Sequence, residues 1–339
     1  MRDVERPTIL NVAQIAGVSV GSVSNVFNGT RPVSDKLRQR VMNAAETLGY
    51  RVNSVARSLR RQQSNVIGYC TPNLRTTYLL ELYEYLDEAL MADGYELSIT
   101  LGDDLPERER MKVQALLGRQ VDGLVLLPSP KPQKSLDLLH KSGLPVVVID
   151  RLAEDERFIY VIADNREAMH RLAGAFQAAG HSRLLFIVRS MDIVTSRHRL
   201  EGLEQCAVES DGLLRYEVAV WDPDPIRYAA RLRALLAGPA APTAIVAGNS
   251  RVALWTIRAL QELGIRYPDH IALATFDDPE WAGILTPPLT AVRTPARTIA
   301  TRAWSLLKER IDGAIGEPTT ITVKAEIVVR ASCGGIRPV

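Results

Sequence analysis

Cysteine is scarce in this 339-residue chain, and the three present, Cys70, Cys206 and Cys333, are odd in number and far apart. No disulfide framework and no metal-ligand spacing follows from them, and a reducing cytoplasm is the simplest expected setting. The five histidines, His140, His170, His181, His198 and His270, show no H-E-x-x-H or other ligand spacing. Neither a P-loop nor a G-x-G-x-x-G is present, so no metal or nucleotide cofactor is expected. No apolar run approaches the ~20 residues that span a bilayer. The N-terminal MRDVERPTIL lacks the apolar core of a secretion signal, so no membrane partner is expected. The tail ASCGGIRPV has no leucine heptad for a terminal coiled coil.

One catalytic motif does occur by letter. GVSVG at 17–21 matches the G-x-S-x-G nucleophile elbow, but that elbow must follow a strand, and Leu10–Ala16 is helical in pattern. No enzyme is expected, and no catalytic residue is assigned.

What the chain does contain is a division of charge. The overall formal charge is +2, yet residues 1–65 hold 10 Lys and Arg against 4 Asp and Glu, and the remainder holds 31 against 35. A basic head on an acidic body suits a nucleic-acid-binding head with a separate body. The periodicity of residues 8–28 points the same way. A helix from about Ile9 to Ala16 is expected to bury Val12, Ala13 and Ile15. Gly17 permits a left-handed turn. Ser19 stands at an N-cap position, and a second helix from Val20 carries Val23, Val26 and Phe27 on one face. This is the pattern of a helix-turn-helix, whose second helix can lie in the DNA major groove. Ser34 is placed to cap a third helix, Asp35–Leu48, ended by Gly49. Its Leu37, Val41, Ala44, Ala45 and Leu48 recur at helical steps.

After the basic segment the pattern changes. Val66–Cys70, Glu96–Leu101, Gly123–Leu127 and Val146–Asp150 read as buried strands, with helices between them such as Leu79–Ala92. The alternation begins again with Arg183–Val188, Tyr216–Trp221, Thr243–Ala247 and Ile271–Phe276, separated by helices near 166–179, 197–209, 225–237 and 250–263. Two such halves imply two α/β lobes with parallel sheets. The expected units are a helix-turn-helix domain at 1–50, a hinge and linker at 51–64, and a two-lobed domain at 65–339.

Three motifs occur in order: V-A-x-x-A-G-V-S at 12–19, V-S-x-V-x-N at 23–28, and L-G-Y-x-x-N-x-x-A-R-S-L at 48–59. In these the chain resembles the LacI/GalR family of bacterial transcription regulators, and the resemblance covers essentially the whole chain. It implies an all-α helix-turn-helix head plus an α/β, two-lobed, periplasmic-binding-protein-like effector domain. It also implies interleaving that periodicity alone does not give: crossovers near residues 162, 288 and 323, the helix 295–312 returning to the first lobe, and the strand Glu326–Val329 to the second.

The resemblance places Val20, Gly21 and Asn25 against base edges, with Ser22 and Ser24 on the same exposed face. Asn25 can bond adenine bidentately, and Val20 offers methyl groups to a thymine methyl. Asn53, Ala56, Arg57, Leu59 and Arg60 fall in what resembles the hinge helix. There Leu59 matches the minor-groove wedge, Ala56 the small residue between two hinges, and the arginines phosphate contacts. Val52 stands where the family commonly has proline before the hinge asparagine, which leaves the start of that helix less restricted. The implied partners are a double-stranded DNA operator, a second copy of the chain in a homodimer, and a small-molecule effector. The effector-binding residues implied are Tyr78, Arg151, Thr195, Arg199, Trp221, Asn249, Ser250 and Asp277, with Asp150 beside Arg151. Arg and Asp in such a set suit the paired hydrogen bonds of a polyhydroxylated ligand. Ser250 replaces a frequent acidic residue. With Arg151, Arg197, Arg199 and Arg251, that change points to a sugar acid or sugar phosphate. The function expected is a cytoplasmic, effector-controlled regulator, a repressor in kind. The alternatives are a soluble small-molecule-binding protein and a nucleobase-responsive regulator.

Overall fold

A computed structural model describes residues 7–28, 31–50 and 63–334. The chain divides into two compact units, Met1–Ser64 and Asn65–Val339. Among the described residues, no single helix is long and apolar enough to cross a membrane.

The head consists of α1 (Ile9–Ala16), α2 (Val20–Asn28) and α3 (Asp35–Leu48). Gly17 sits at φ 61°, in the left-handed region where a side chain is strained, and its N–H closes α1. The Ser19 hydroxyl accepts from Ser22 N at 3.1 Å, which starts α2. The two helices meet at 105°, the angle of a helix-turn-helix. Ser34 caps α3 through Leu37 N, and Gly49 at φ 62° ends it. From α3 the Arg40 guanidinium donates to the Ala16 and Gly17 carbonyls, so a cation caps the negative end of α1. Val12, Ala13, Ala16, Val23, Val26, Val41, Ala44 and Ala45 form the head's core. Ile15 does not belong to it. It is 54% exposed, because it points roughly a third of a turn away from the centre of the Val12–Ala13–Ala16 face.

In the body, the first lobe carries β1 (Val66–Thr71), α4 (Thr77–Ala92), β2 (Glu96–Leu101), α5 (Pro106–Gly118), β3 (Gly123–Leu126), α6 (Gln133–Ser142), β4 (Val146–Ile149) and β5 (Ile159–Ala163). The second carries α7 (Asn165–Ala178), β6 (Arg183–Val188), α8 (Val194–Glu209), β7 (Arg215–Val220), α9 (Pro225–Leu235), β8 (Ala244–Ala247), α10 (Ser250–Glu262), β9 (Ala272–Phe276), α11 (Glu280–Ile284) and β10 (Thr290–Arg293). The chain then returns to the first lobe as α12 (Ala296–Ile311) and β11 (Thr320–Val323), and ends in the second as β12 (Glu326–Val328).

The two six-stranded sheets have the same layout, β11-β5-β4-β3-β1-β2 and β12-β10-β9-β8-β6-β7. All pairs are parallel except β10 with β12. Helices cover both faces of each sheet, so the central strands are apolar throughout: β3, β4 and β8 are buried along their whole length. Helix α12 belongs to the first lobe, because Ile299, Ala303, Trp304 and Leu307 share one core with Ile67, Val125 and Val147.

The chain passes between lobes at 163–165, 293–296 and 323–326. The middle crossing falls later than the expected 288 because Thr290–Arg293 still pairs with β9. Periodicity also leaves β5 and β11 unassigned. They pair with each other in register from Tyr160–Thr320 to Ala163–Val323.

Candidate functional site

On α2, Val20 and Gly21 are exposed, and Ser22, Ser24 and Asn25 are half-buried. Ser22 bonds to Ser19 through both its N–H and its hydroxyl, so it helps build the turn as well as face outward. A Cβ on Gly21 would meet only the Ser19 hydroxyl, at an ordinary 3.7 Å. Packing therefore does not require glycine there, and the bareness of that position is a property of the surface. Asn53, Ala56, Arg57, Leu59 and Arg60 lie outside the described residues.

A polar cavity of about 260 Å³ lies between the lobes of the body. Almost every wall residue follows the carboxyl end of a strand, where parallel sheets place their ligands. Asn73, Arg75 and Thr76 follow β1, Asp104 follows β2, and Asp150 and Arg151 follow β4. From the other lobe come Arg189 after β6, Trp221 and Pro223 after β7, Gly248, Asn249 and Arg251 after β8, and Asp277 after β9. The first turn of α8 adds Thr195, Ser196 and Arg199 a turn later. The N-terminal ends of α4, α8 and α10 thus converge on one space and add partial positive charge to it.

Several of the polar side chains are held by nameable partners. The Tyr78 hydroxyl donates to Asp150 Oδ1 at 2.8 Å. Arg151 Nη1 donates to Asp104 Oδ1 at 2.5 Å and to the Pro128 carbonyl at 2.7 Å. Arg189 reaches the same Asp104 carboxylate from the second lobe. Arg199 Nε donates to Asn165 Oδ1 at 2.7 Å and its Nη1 to the Gly248 carbonyl, while its guanidinium lies 3.9 Å from the Phe276 ring centroid. Asn249 caps α10 through Val252 N. Asp150 and Asp277 both have positive φ, 65° and 67°, a conformation non-glycine residues rarely adopt, and both occur in this site.

Burial dominates the titration of these groups. It pushes the Asp277 carboxyl above the usual carboxylate range, and the nearby Arg199 charge offsets this only in part. Burial raises the Tyr78 hydroxyl, with the Asp150 charge adding to it, and lowers the Arg199 guanidinium. Two buried donors on the wall, Arg151 Nε and Trp221 Nε1, have no hydrogen-bond acceptor among the described residues. Buried donors are nearly always satisfied, so this arrangement suits a polar occupant.

Of the residues the sequence singles out, Tyr78, Arg151, Thr195, Arg199, Trp221, Asn249 and Asp277 line this one cavity. Ser250 stands behind the wall, where its N–H and hydroxyl donate to Asp277 Oδ2 at 3.3 and 3.4 Å. Arg197, grouped by sequence with the cleft arginines, turns away. It donates to the Met191 and Asp192 carbonyls and lines a separate cavity with Lys131 and His198. Sequence reasoning misses Asp104 and Arg189. The only signal for them is position, as charged residues just beyond the ends of β2 and β6.

The three cysteines are buried free thiols, and burial holds Cys70 up at about 12 and Cys333 at about 11. Ser19, the serine of GVSVG, is a helix cap.

A helix-turn-helix head and a two-lobed body with a polar interlobe cleft define a class: DNA-binding transcription regulators that carry their own small-molecule receptor. Comparison with known proteins specifies it further. Residues 8–53 match the family model for bacterial regulatory proteins of the lacI family, and residues 173–333 match that for the periplasmic binding protein-like domain. The HTH-type transcriptional repressor PurR of Erwinia tasmaniensis is 30% identical over 328 residues, covering 96% of each chain. The HTH-type transcriptional regulator KdgR of Bacillus subtilis is 28% identical over 331 residues, covering 96% of this chain and 97% of that one. The fold is shared with the Lac repressor dimer bound to operator and an anti-inducer, at TM-score 0.85 and 23% identity over 97% of this chain and 99% of that one. The chain belongs to the LacI family, and it is a DNA-binding transcriptional regulator under small-molecule control.

Proposed function

We propose that the protein is a cytoplasmic repressor that binds a pseudo-palindromic operator as a homodimer, and that a polyhydroxylated small molecule in the interlobe cleft sets its affinity for DNA. One observation carries this reading. Both lobes supply hydrogen-bonding groups to a single cavity, so an occupant's binding energy depends on how the lobes are arranged. That is the requirement for coupling, which typically changes affinity by ~5–150-fold.

In this reading Val20, Gly21 and Asn25 meet base edges, Ser22 and Ser24 flank them, and Arg57 and Arg60 neutralise phosphates beside the Leu59 wedge. Asn53 begins the hinge helix, and Ala56 lets two such helices approach. A twofold operator needs two heads. The sheet-edge strands β2 and β7 expose Leu101, Tyr216 and Val220, apolar side chains that a second copy could cover. The buried free thiols fit a reducing compartment.

The test is selection of sites from a randomised DNA library by the full-length protein at fixed salt, followed by operator affinity with and without sugars, sugar acids and nucleobases. A pseudo-palindrome whose affinity shifts with one compound is the expected result. Sequence-indifferent binding overturns the reading, and a response to nucleobases alone moves it to the purine-type alternative. Asn25→Ala should cost ~1–3 kcal/mol on the selected site and relax one position per half-site. An equal loss on every sequence would remove Asn25 from base readout.

A further inference from the structure

The cleft has two electrostatically different ends. At the inner end Arg199 and Arg151 face Asp150, Asp277 and Tyr78, and positive and negative groups balance. At the outer end Arg75, Arg189 and Arg251 gather. All three line the same cavity, and the charges of Arg251 and Arg75 add to the burial that depresses the Arg189 guanidinium between the two lobes. Across the whole wall, five arginines stand against three aspartates, an excess of two positive charges. Three guanidiniums do not collect in a half-enclosed space without anionic compensation, because like charges there repel strongly.

Compensation at present comes from the protein itself. Asp104, in the first lobe, accepts from Arg151 of its own lobe and from Arg189 of the other. Its side chain is 9% exposed. Asp103 and Asp104 are held consecutively at φ 54° and 59°, a conformation that costs energy for non-glycine residues. Asp103 in turn reaches Arg75 at 3.5 Å. Arg251 has an aromatic neighbour: its guanidinium lies 5.8 Å from the Trp221 ring centroid.

We propose that the effector carries a carboxylate or phosphate that seats among Arg75, Arg189 and Arg251, taking Arg189 from Asp104, while its hydroxylated body lies against Arg199, Asn249 and Asp277. This rests on the reading of the cleft as the effector site and adds the ligand's charge and orientation to it. The consequence is mechanical. Asp104 to Arg189 is a bond between lobes, so an anion that exchanges for Asp104 changes a cross-lobe contact at the moment it binds. Asp104 therefore acts as the cleft's own competing anion, and its strength sets how readily a ligand's anion enters.

The probe that needs no knowledge of the sugar is inorganic phosphate, titrated into the full-length protein at fixed ionic strength and followed by calorimetry and by the fluorescence of Trp221, with Trp221→Phe as the control for that signal. Phosphate should bind at one site below ~10 mM. Arg189→Gln and the exposed Arg75→Gln should each weaken it by roughly fivefold or more, and Asp104→Asn should tighten it by a similar factor. Thermal unfolding of each variant separates lost binding from lost folding. Glucose, gluconate and glucose 6-phosphate, compared at the same site, distinguish no anion from carboxylate and from phosphate. Absence of phosphate binding, binding indifferent to Arg75 and Arg189, or glucose binding as tightly as both anions would overturn the proposal. Operator selection fails or succeeds independently of these titrations, so loss of the anion site leaves the regulator reading standing.

Discussion

Asp150–Arg151 and Asp277–Asp278 occupy the same place in the two lobes, just beyond β4 and β9, the third strands of identically ordered sheets. The first residue of each pair has positive φ and faces the cleft. The second residue carries opposite charge in the two lobes and has a different task. Arg151 stays in the cleft wall, tied to Asp104 and Pro128. Asp278 turns to the interlobe connections, where its carboxylate accepts from Arg293 at the end of β10 and from Arg330 beyond β12. One lobe thus spends the position on the cleft wall and the other on the interlobe connections. A duplicated backbone fixes where a side chain emerges, while charge decides what it does there.

Helix packing distinguishes the lobes in the same way. In the first, α4 meets α12 through large side chains, including Leu82, Leu86, Trp304 and Leu307, with Arg297 4.2 Å from the Tyr85 ring centroid. In the second, α7 and α8 touch backbone to backbone at Gly202, where a Cβ would lie 2.0 Å from the Arg166 carbonyl oxygen. Gly202→Ala should therefore produce the largest loss of stability, about 3 kcal/mol or more, because a backbone contact cannot relax as a side chain does. Chemical denaturation of the full chain measures it, and a loss below ~1 kcal/mol would show that the close approach is not needed.

Arg199→Ala comes next. It strands Asn165, the Gly248 carbonyl and the buried Asp277 together, and should cost about 3 kcal/mol and abolish the effector response. Retained effector response with lowered stability would make Arg199 a packing residue only. The paired aspartates give a smaller and opposed result. Burial penalises the charge on Asp277, so Asp277→Asn, which removes that charge and keeps an acceptor for Ser250, should change stability by less than ~1 kcal/mol or raise it. Asp150→Asn weakens the bond from Tyr78 and the attraction to Arg151 at 3.9 Å, and should lower stability by ~0.5–1.5 kcal/mol. Equal losses in the two variants would erase the distinction between the lobes.

The smallest effect is one of pH. Burial pushes the Asp278 carboxyl up, but hydrogen bonds and charge from Arg330 and Arg293 outweigh it and hold the group below the usual aspartate range. A carboxyl depressed in the folded state contributes stability that is present above its unfolded value and lost as pH falls through the depressed one. Acid titration of the wild type against Asp278→Asn should show the two stability curves converging only below the ordinary aspartate range. Parallel curves would remove Asp278 as the acid-sensitive tie.

Much of this was legible in the sequence, for identifiable reasons. The head is local: its turn, caps and core repeat all lie within forty residues, so Gly17, Ser19, Ser34 and Gly49 could be placed from spacing alone. Long apolar strands such as Arg183–Val188 stood out in the same way. The cleft is non-local, and seven of its residues could be named only because family motifs mark them. Asp104 and Arg189 carry no motif and meet across 85 residues of chain, so nothing local announces their partnership. Ile15 failed for a different reason. It is apolar, but helix geometry gave its place in the core to the smaller Ala16.

The return of α12 and β11 to the first lobe governs how the protein is made. Translation delivers β1 to β5 early, yet the helix that seals their sheet and the strand that extends it arrive only with residues 296–323. Until the ribosome has released nearly the whole chain, Val125, Val147 and their neighbours have no cover from Trp304 and Leu307. The first lobe synthesised therefore waits until residue 323 for completion, the second closes with β12 only a few residues later, and an early stop codon costs both lobes at once.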